Sequence, residues 1–322
     1  MKKTLAIILY LWLLLIVSCT NAAPTSSPVI ESPIPEPTAT SVPPTDAPPT
    51  QLPELPRRNV PYIPEAGLLQ TLDVHTPSTG DGPFPTILAI HGGGFSGGNK
   101  SSYSELASHF NELGYALVSS NYRLTSTSSY PEQVEDVFCA LAWVHENSVA
   151  YGFDDERIFI MGDSAGGYLT AMLGTVDAPD LYLENCPHAL PDADWIQGVV
   201  VFYGFFDFLS IEGFPDVRSN LQPYWGAKHS DIALDTLAEM SPASWVDGGE
   251  PPFLLLHGTS DTLVPSWMSE DFATVLEEAG VEVELVLIPE TEHAFIRQHF
   301  SSPAMELALN STEAFLSKVS EQ

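Results

Sequence analysis

The sequence predicts an α/β domain whose central sheet is mostly parallel and is covered by helices on both faces. From about residue 60 onward, short apolar runs alternate with helical patterns, and alternating strands and helices form parallel sheets covered on both sides. The chain has 322 residues, of which 44% are hydrophobic, so it can build a sizeable core.

The elements follow one another in a regular order. In the segment Pro131–Tyr151, apolar residues from Val134 to Val144 recur at steps of three and four, which gives a helix one apolar face. The predicted strands are Leu69–His75, Thr86–His91, Tyr115–Tyr122, Arg157–Gly162, Ile196–Tyr203, Phe253–His257 and Val281–Ile288. The predicted helices are Ser102–Leu113, Pro131–Tyr151, Ala165–Leu173, Ser266–Ala279 and Pro303–Val319. Ligands of such sheets bind beyond the carboxyl ends of the strands, so we expect functional residues directly after the apolar runs.

The amino terminus has the pattern of an export signal. Met1–Lys3 is basic, and the apolar run Leu5–Val17 is shorter than a membrane-spanning helix. Ile16–Cys19 resembles the lipobox of bacterial lipoproteins, which implies cleavage before Cys19 and lipidation of that residue. An ordinary signal peptide with a coincidental cysteine remains an alternative.

The segment that follows predicts a stalk. Residues 20–58 contain eleven prolines and no aromatic residue, a composition that cannot bury enough apolar area to fold. We therefore expect a signal peptide at 1–18, a lipidated and disordered stalk at 19–58, and a folded domain at 59–322. Such a protein faces the outside of the cytoplasm and is held on a membrane surface by its lipid alone.

The charge of the chain excludes one class of partner. Acidic residues number 42 and basic residues 11, a net charge of −31, whereas nucleic-acid binding depends on Lys and Arg. The acidity fits solubility outside the cell or adaptation to high salt. If Cys19 is lipidated, Cys139 and Cys186 remain as a candidate disulfide pair in an oxidising compartment, and the sequence leaves their pairing open.

The strongest motif is Gly-x-Ser-x-Gly at residues 162–166. It directly follows the predicted strand segment Arg157–Met161 and directly precedes a helical pattern. A serine in such a turn is raised above the sheet, and the amino terminus of the helix favours developing negative charge. The motif predicts that Ser164 is a nucleophile.

A glycine-rich loop precedes it in the chain. His91–Phe95 contains three consecutive glycines and follows the apolar run Ile87–Ile90. Attack on an ester carbonyl produces an oxyanion that needs preset N–H donors, and glycine lets backbone amides point inward. We assign these donors to Gly93, Gly94 and Ala165. A phosphate-binding loop is disfavoured, since no Gly-Lys-Ser/Thr ending is present.

An acid and a base follow later strands. Asp261 comes after the apolar run Phe253–Leu256, and His293 comes after another strand. The order Ser, Asp, His is that of the α/β-hydrolases. Asp207 remains a rival for the acid and His299 a rival for the base. The histidines are scattered and no cysteine pair has zinc spacing, so we expect neither a metal nor a cofactor.

Taken together, these motifs resemble those of the hormone-sensitive-lipase-like esterases, and most closely the BD-FAE family, whose name refers to feruloyl and acetylxylan esterase activity. The resemblance covers roughly residues 60–320 and includes Asn121–Leu124, Tyr151–Gly167 and Glu292–Phe295. It implies an α/β-hydrolase fold and a Ser164–Asp261–His293 triad without a cofactor. The implied function is a carboxylic-ester hydrolase acting on short-chain small-molecule or carbohydrate esters.

The sequence also offers candidate residues for substrate selection. The segment Thr175–Trp195 has no strand or helix period and is expected to form a small partial cap over the site. Phe205 and Phe206 either narrow an acyl pocket or pack in the core, and Phe95 and Trp267 are further pocket candidates. A peptidase of the prolyl-oligopeptidase type and a non-catalytic surface-binding protein remain alternative functions.

Overall fold

An eight-stranded sheet lies at the centre of the computed structural model, which describes residues 55, 57–191, 195–213, 221–297 and 301–321. The strand order is β1-β2-β4-β3-β5-β6-β7-β8. The pairs β1–β2 and β2–β4 are antiparallel, and the other pairs are parallel. The strands are β1 Val60–Pro61, β2 Thr71–His75, β3 Phe84–Ile90, β4 Ala116–Ser120, β5 Phe153–Asp163, β6 Ile196–Phe202, β7 Phe253–Gly258 and β8 Val283–Ile288. The predicted mostly parallel sheet is confirmed, and β1, a two-residue edge strand, is the strand that the apolar pattern missed.

The helices of the described residues mostly follow the prediction. Those whose bounds lie wholly within the described residues are α1 Ser104–Glu112, α2 Glu132–Glu146, α3 Ser148–Tyr151, α4 Ala165–Thr175, α5 Leu234–Glu239, α6 Trp267–Ala279 and α7 Pro303–Val319, and residues 221–225 are also helical. The prediction of a single helix over 131–151 is wrong, because the chain forms two helices there that are separated at Asn147. The Asn147 side chain donates to the Trp143 carbonyl at 2.8 Å, a local bond that competes with helix continuation. The sequence pattern also missed α5, whose six residues are too few to establish a period.

Helices cover both faces of the sheet. Residues of α2, α4 and α6 share one apolar cluster with Ile158 and Ile160 of β5, whereas α1 and α7 share another with Phe159 and Met161. Successive strand residues thus point to opposite faces, and both faces are buried. This explains why β3 and the second half of β5 are apolar on both faces and could be recognised from the sequence.

The segment between α4 and β6 does not form the predicted cap. α4 carries the chain away from Ser164 for eleven residues, about 16 Å, so Thr175 lies at the amino edge of the sheet. Thr175 and Trp195 there line a cavity of about 820 Å³ with Pro252. The described part of the segment packs along α2, where Tyr182 stacks on Phe138. Tyr182 also reaches the Tyr130 hydroxyl at 2.9 Å, and the ring of Tyr130 contacts Tyr224, so the described part of the segment contributes this contact in place of the cap that was expected over the site.

A disulfide fastens the same segment to α2. Cys139 and Cys186 are bridged with a Cα–Cα distance of 5.5 Å, which resolves the pairing that the sequence left open. Beyond the bridge, His188 Nδ1 lies 2.6 Å from Glu146 Oε2. The segment is thus held on the outer side of α2 by a covalent bond and a polar contact.

The predicted signal peptide, Cys19 and most of the stalk lie outside the described residues. At the end of the stalk, the Arg57 carbonyl accepts a hydrogen bond from Val74 N–H at 2.8 Å, and Arg58 pairs with Asp73 at 2.8 Å. Contacts of the folded domain therefore begin before the predicted boundary at residue 59. Within the described residues, no helix combines the length and the apolar character needed to cross a bilayer.

Candidate active site

The register of the sheet brings the predicted functional loops together. Ile90 of β3 lies opposite Gly162 of β5, so the glycine-rich loop and Ser164 leave the same edge side by side. Gly258 of β7 lies opposite Ile288 of β8, and the loops beyond these strands are joined by a hydrogen bond from Ser260 N–H to the Thr291 carbonyl at 3.0 Å. These are the loops that carry Asp261 and His293.

Ser164 occupies a sharp turn between β5 and α4. Its backbone dihedrals are φ 54° and ψ −117°, a conformation that a non-glycine residue adopts only when its surroundings enforce it. The Ser164 N–H donates to the Phe202 carbonyl at 2.9 Å. A Cβ atom at Gly166 would collide with the Ile90 carbonyl, and one at Gly162 would collide with the Gly166 carbonyl. Glycine at both positions allows α4 to approach the sheet closely enough to form the turn.

A continuous hydrogen-bonded chain joins the serine to a carboxylate. His293 Nε2 lies 2.9 Å from Ser164 Oγ, and His293 Nδ1 lies 2.6 Å from Asp261 Oδ2. With Nδ1–H donating to the carboxylate, Nε2 accepts the serine O–H. The ring of Tyr203 contacts that of His293 edge-on at 4.6 Å. The arrangement can take a proton from Ser164 and stabilise the imidazolium that forms.

Asp261 is held as a carboxylate. Burial by itself raises its pKa, but hydrogen bonds from His257, from His293 and from the Val264 N–H outweigh burial, and the pKa of Asp261 lies well below its ordinary value. Asp261 Oδ1 accepts the N–H groups of Leu263 and Val264 at 2.9 and 2.8 Å. The acid is therefore ionised at neutral pH and fixed in orientation.

The rival residues take other places. Asp207 Oδ1 accepts the Leu209 N–H at 2.7 Å and lies 3.5 Å from Ser241 Oγ, so it caps its own loop, whereas Asp261 contacts His293. His299 lies outside the described residues. Among the residues that are described, no group of three or more His, Cys, Asp and Glu side chains is arranged to hold a metal ion.

The glycine-rich loop is anchored by an aromatic stack and a hydrogen bond. The His91 ring stacks on Tyr122 at 4.4 Å, and the Tyr122 hydroxyl donates to the His91 carbonyl at 2.9 Å. Burial lowers the pKa of His91 to about 4, so the ring is neutral. Gly93 and Gly94 have φ values of 137° and 57°. Ala165 is the first residue of α4, where N–H groups have no partner within the helix.

A buried carboxylate connects this loop to the one that carries the histidine. Asp163 accepts hydrogen bonds from the Gly92 N–H at 2.8 Å, from the Tyr103 hydroxyl at 3.1 Å and from Arg297 at 3.0 Å. Arg297 lies four residues after His293. Sequence reasoning missed the Asp163–Arg297 pair, because no local pattern links residues 134 positions apart.

The predicted pocket residues are not equivalent. Phe206 is 1% exposed and stacks on Phe272 of α6 at 4.2 Å, which favours core packing, one of its two alternatives. Phe205 is also buried. Trp267, the first residue of α6, is half-buried and packs against the core. Phe95 is buried directly after the glycine-rich loop.

The cover at this edge comes from the connection between β6 and β7. Tyr224, which lies in that connection, stacks on Phe95 at 3.9 Å. Phe208 and Tyr168 contact each other edge-on at 5.4 Å, and Tyr168 contacts Tyr224 at 5.6 Å. A cluster of buried aromatic rings therefore adjoins the glycine-rich loop on the side where the predicted cap was expected.

The chain is similar in sequence and fold to known esterases. The BD-FAE family model matches residues 72–276. Two proteins of Mycobacterium tuberculosis, "Probable carboxylic ester hydrolase LipM" and "Esterase LipQ", are each 32% identical over 66% of this chain and 50% of their own length. The chain thus spans about half the length of these curated relatives. The propionate-bound esterase Est2 of Thermogutta terrifontis is 25% identical with a TM-score of 0.63 over 77% of this chain and 89% of its own. The sheet order and this likeness show the α/β-hydrolase fold.

Proposed function

The chain belongs to the BD-FAE family, and on this premise we propose that it is a serine esterase that hydrolyses carboxylic esters through an acyl-enzyme. One observation carries the proposal: Ser164 Oγ, the His293 ring and the Asp261 carboxylate form an unbroken hydrogen-bonded chain. The names of the relatives LipM and LipQ, a carboxylic ester hydrolase and an esterase, agree with it.

The proposed reaction begins with attack by Ser164. As Oγ bonds to the ester carbonyl carbon, His293 Nε2 takes the hydroxyl proton, and Asp261 stabilises the resulting imidazolium. The tetrahedral oxyanion accepts hydrogen bonds from N–H groups that we assign to Gly93, Gly94 and Ala165. The intermediate collapses as His293 returns the proton to the departing alcohol oxygen, which leaves an acyl-Ser164 ester.

Deacylation repeats the same steps with water. His293 removes a proton from the attacking water, the second tetrahedral intermediate occupies the same N–H donors, and Ser164 regains its proton as the carboxylic acid leaves. The ester and the water together supply every atom of the alcohol and the carboxylic acid that are released.

We propose short acyl groups as the preferred substrates. Phe95 directly follows the glycine-rich loop, is 2% exposed and stacks on Tyr224, and this rigid contact limits the space beside the assigned oxyanion donors. Est2 is described with propionate bound, a short carboxylate. An acetylated or feruloylated carbohydrate is the natural ester that the family resemblance suggests.

We also propose export to the outside of the cytoplasm and attachment to a membrane surface through a lipid on Cys19. The Cys139–Cys186 disulfide supports export, because disulfides persist in oxidising compartments. In cells given a radiolabelled fatty acid, the wild-type chain should carry label and sediment with membranes. If Cys19→Ser still carries the label and still sediments with membranes, the proposed lipid anchor on Cys19 is contradicted.

Hydrolysis of p-nitrophenyl acetate, butyrate and octanoate and of a feruloyl ester tests the function. We expect turnover that falls with acyl length and vanishes in Ser164→Ala, whose circular dichroism should match that of wild type. Undiminished turnover in Ser164→Ala would overturn the assignment. Cleavage of peptidyl anilides without ester cleavage would favour the peptidase, and failure of wild type to cleave either class would favour the binding protein.

A further inference from the structure

The acid of the proposed triad has a second histidine beside it. We infer that His257 is a positioning residue, which holds the Asp261 carboxylate in the orientation that His293 requires. The inference rests on the proposed function, because it concerns how the triad is aligned.

The surroundings of His257 determine which of its nitrogens carries the proton. Its ring is fully buried at the end of β7. Nε2 lies 2.7 Å from the Val264 carbonyl oxygen and 3.3 Å from Asp261 Oδ2. Both are acceptors only, so Nε2 must bear hydrogen. Nδ1 lies 2.7 Å from Ser269 Oγ, and in the neutral ring it accepts the serine O–H. One neutral tautomer, with hydrogen on Nε2, satisfies every contact.

The Asp261 carboxylate is consequently held on both oxygens. Oδ1 accepts the N–H groups of Leu263 and Val264, and Oδ2 accepts Nδ1–H of His293 and faces Nε2–H of His257. The torsion that rotates a carboxylate about its Cβ–Cγ bond is broad and poorly fixed by intrinsic preference. His257 therefore directs a second N–H, at 3.3 Å, toward the oxygen that His293 contacts, and restricts that rotation.

A purely structural role for His257 makes a different prediction. The ring also connects β7 to α6 through Ser269 and supports the loop through the Val264 carbonyl. If these connections were its whole role, replacing it would lower the stability of the fold and leave the turnover of the folded molecules unchanged. A positioning role requires a fall in kcat at nearly constant KM, since the His293–Asp261 pair acts in the transition state.

Three variants separate the two roles. His257→Leu keeps an apolar side chain of moderate size without a donor, and His257→Gln places an amide donor near the position of Nε2. Ser269→Ala removes the bond to Nδ1 and leaves the Nε2–H that faces Asp261 in place. We expect His257→Leu to lower kcat for p-nitrophenyl acetate about 10- to 100-fold, His257→Gln to recover a part of this loss, and Ser269→Ala to lose less than His257→Leu.

The outcomes are distinguishable from failure of the proposed function. If wild type hydrolyses no ester, the proposed function fails. If wild type is active and folded His257→Leu keeps the wild-type kcat, or if His257→Gln is as slow as His257→Leu, the inference is overturned.

The inference can also be tested on the wild-type protein, without relying on a variant that folds. Nitrogen-15 labelling of the histidines reports which ring nitrogen carries hydrogen. We expect hydrogen on Nε2 of His257, which the Val264 carbonyl and the Asp261 carboxylate face. Hydrogen on Nδ1 alone would leave no donor toward Asp261 and would refute the inference.

Discussion

Removal of the Cys139–Cys186 disulfide should destabilise the domain strongly while leaving its chemistry intact. The bridge closes a loop with a sequence separation of 47 residues. In the chain-entropy model this closure lowers the entropy of the unfolded state by about 13.6 cal/mol/K, which amounts to about 4 kcal/mol at 25 °C. For a domain of this size we expect a fall in Tm of roughly 8–16 °C.

The double variant Cys139→Ala/Cys186→Ser and reduced wild type form a matched pair, because reduction opens the bridge without removing a heavy atom. Unfolding in urea gives the free energy, and p-nitrophenyl acetate turnover at a temperature below both transitions gives the activity. The bridge joins α2 to the segment on its outer side, away from the edge that carries Ser164, so kcat/KM should change less than about twofold.

Two results would refute this reasoning. A loss of less than about 1 kcal/mol in both the variant and reduced wild type would show that loop closure does not set the contribution of the bridge. A fall of tenfold or more in kcat/KM in folded protein would show that the segment 175–195 acts on the site after all.

Three further predictions concern the site. Asp261→Asn should lower kcat on the order of 10⁴-fold, since the neutral amide cannot stabilise the His293 imidazolium, whereas Asp207→Asn should stay near wild type; the opposite result would make Asp207 the acid. Arg297→Met should lower the urea-unfolding free energy by about 2–3 kcal/mol, less than the roughly 3–5 kcal/mol of a fully buried pair, because Asp163 is 2% exposed but Arg297 is 41% exposed. An unchanged value would contradict the pairing. The pKa of Asp261 is depressed below its ordinary 3.8, so the stability that Asp261 contributes is present above that pH and is lost as the pH falls through the lower folded-state value. The difference in unfolding free energy between wild type and Asp261→Asn should therefore shrink below pH 3.8. A difference that grows there would contradict the depressed pKa.

The sequence was most informative where one residue type satisfies a local requirement. The strands of a covered parallel sheet are apolar on both faces, so β3 and β5 could be recognised without knowledge of their partners. Ser164 could be singled out because only glycine fits at Gly162 and Gly166 beside the turn. The loops that follow such strands meet at one edge for geometric reasons alone, which is why Asp261 and His293 could be expected near the serine.

The sequence was least informative about packing between distant segments. Thr175–Trp195 has no strand or helix period, and the length of α4 places Thr175 at the edge of the sheet opposite Ser164. Phe206 follows a strand directly and could have faced a pocket or the core; its stacking on Phe272 depends on where α6 packs. The contact between His257 and Asp261 depends on the path of a short loop that no residue pattern specifies.

The central claim is that Ser164 is the nucleophile, and covalent labelling by a fluorophosphonate tests it most directly. Mass spectrometry of the digested protein should show one adduct, on the peptide that contains Ser164. Labelling should disappear in Ser164→Ala and slow strongly in His293→Ala, because the serine then loses its base. An adduct on another residue, or undiminished labelling of Ser164→Ala, would contradict the account.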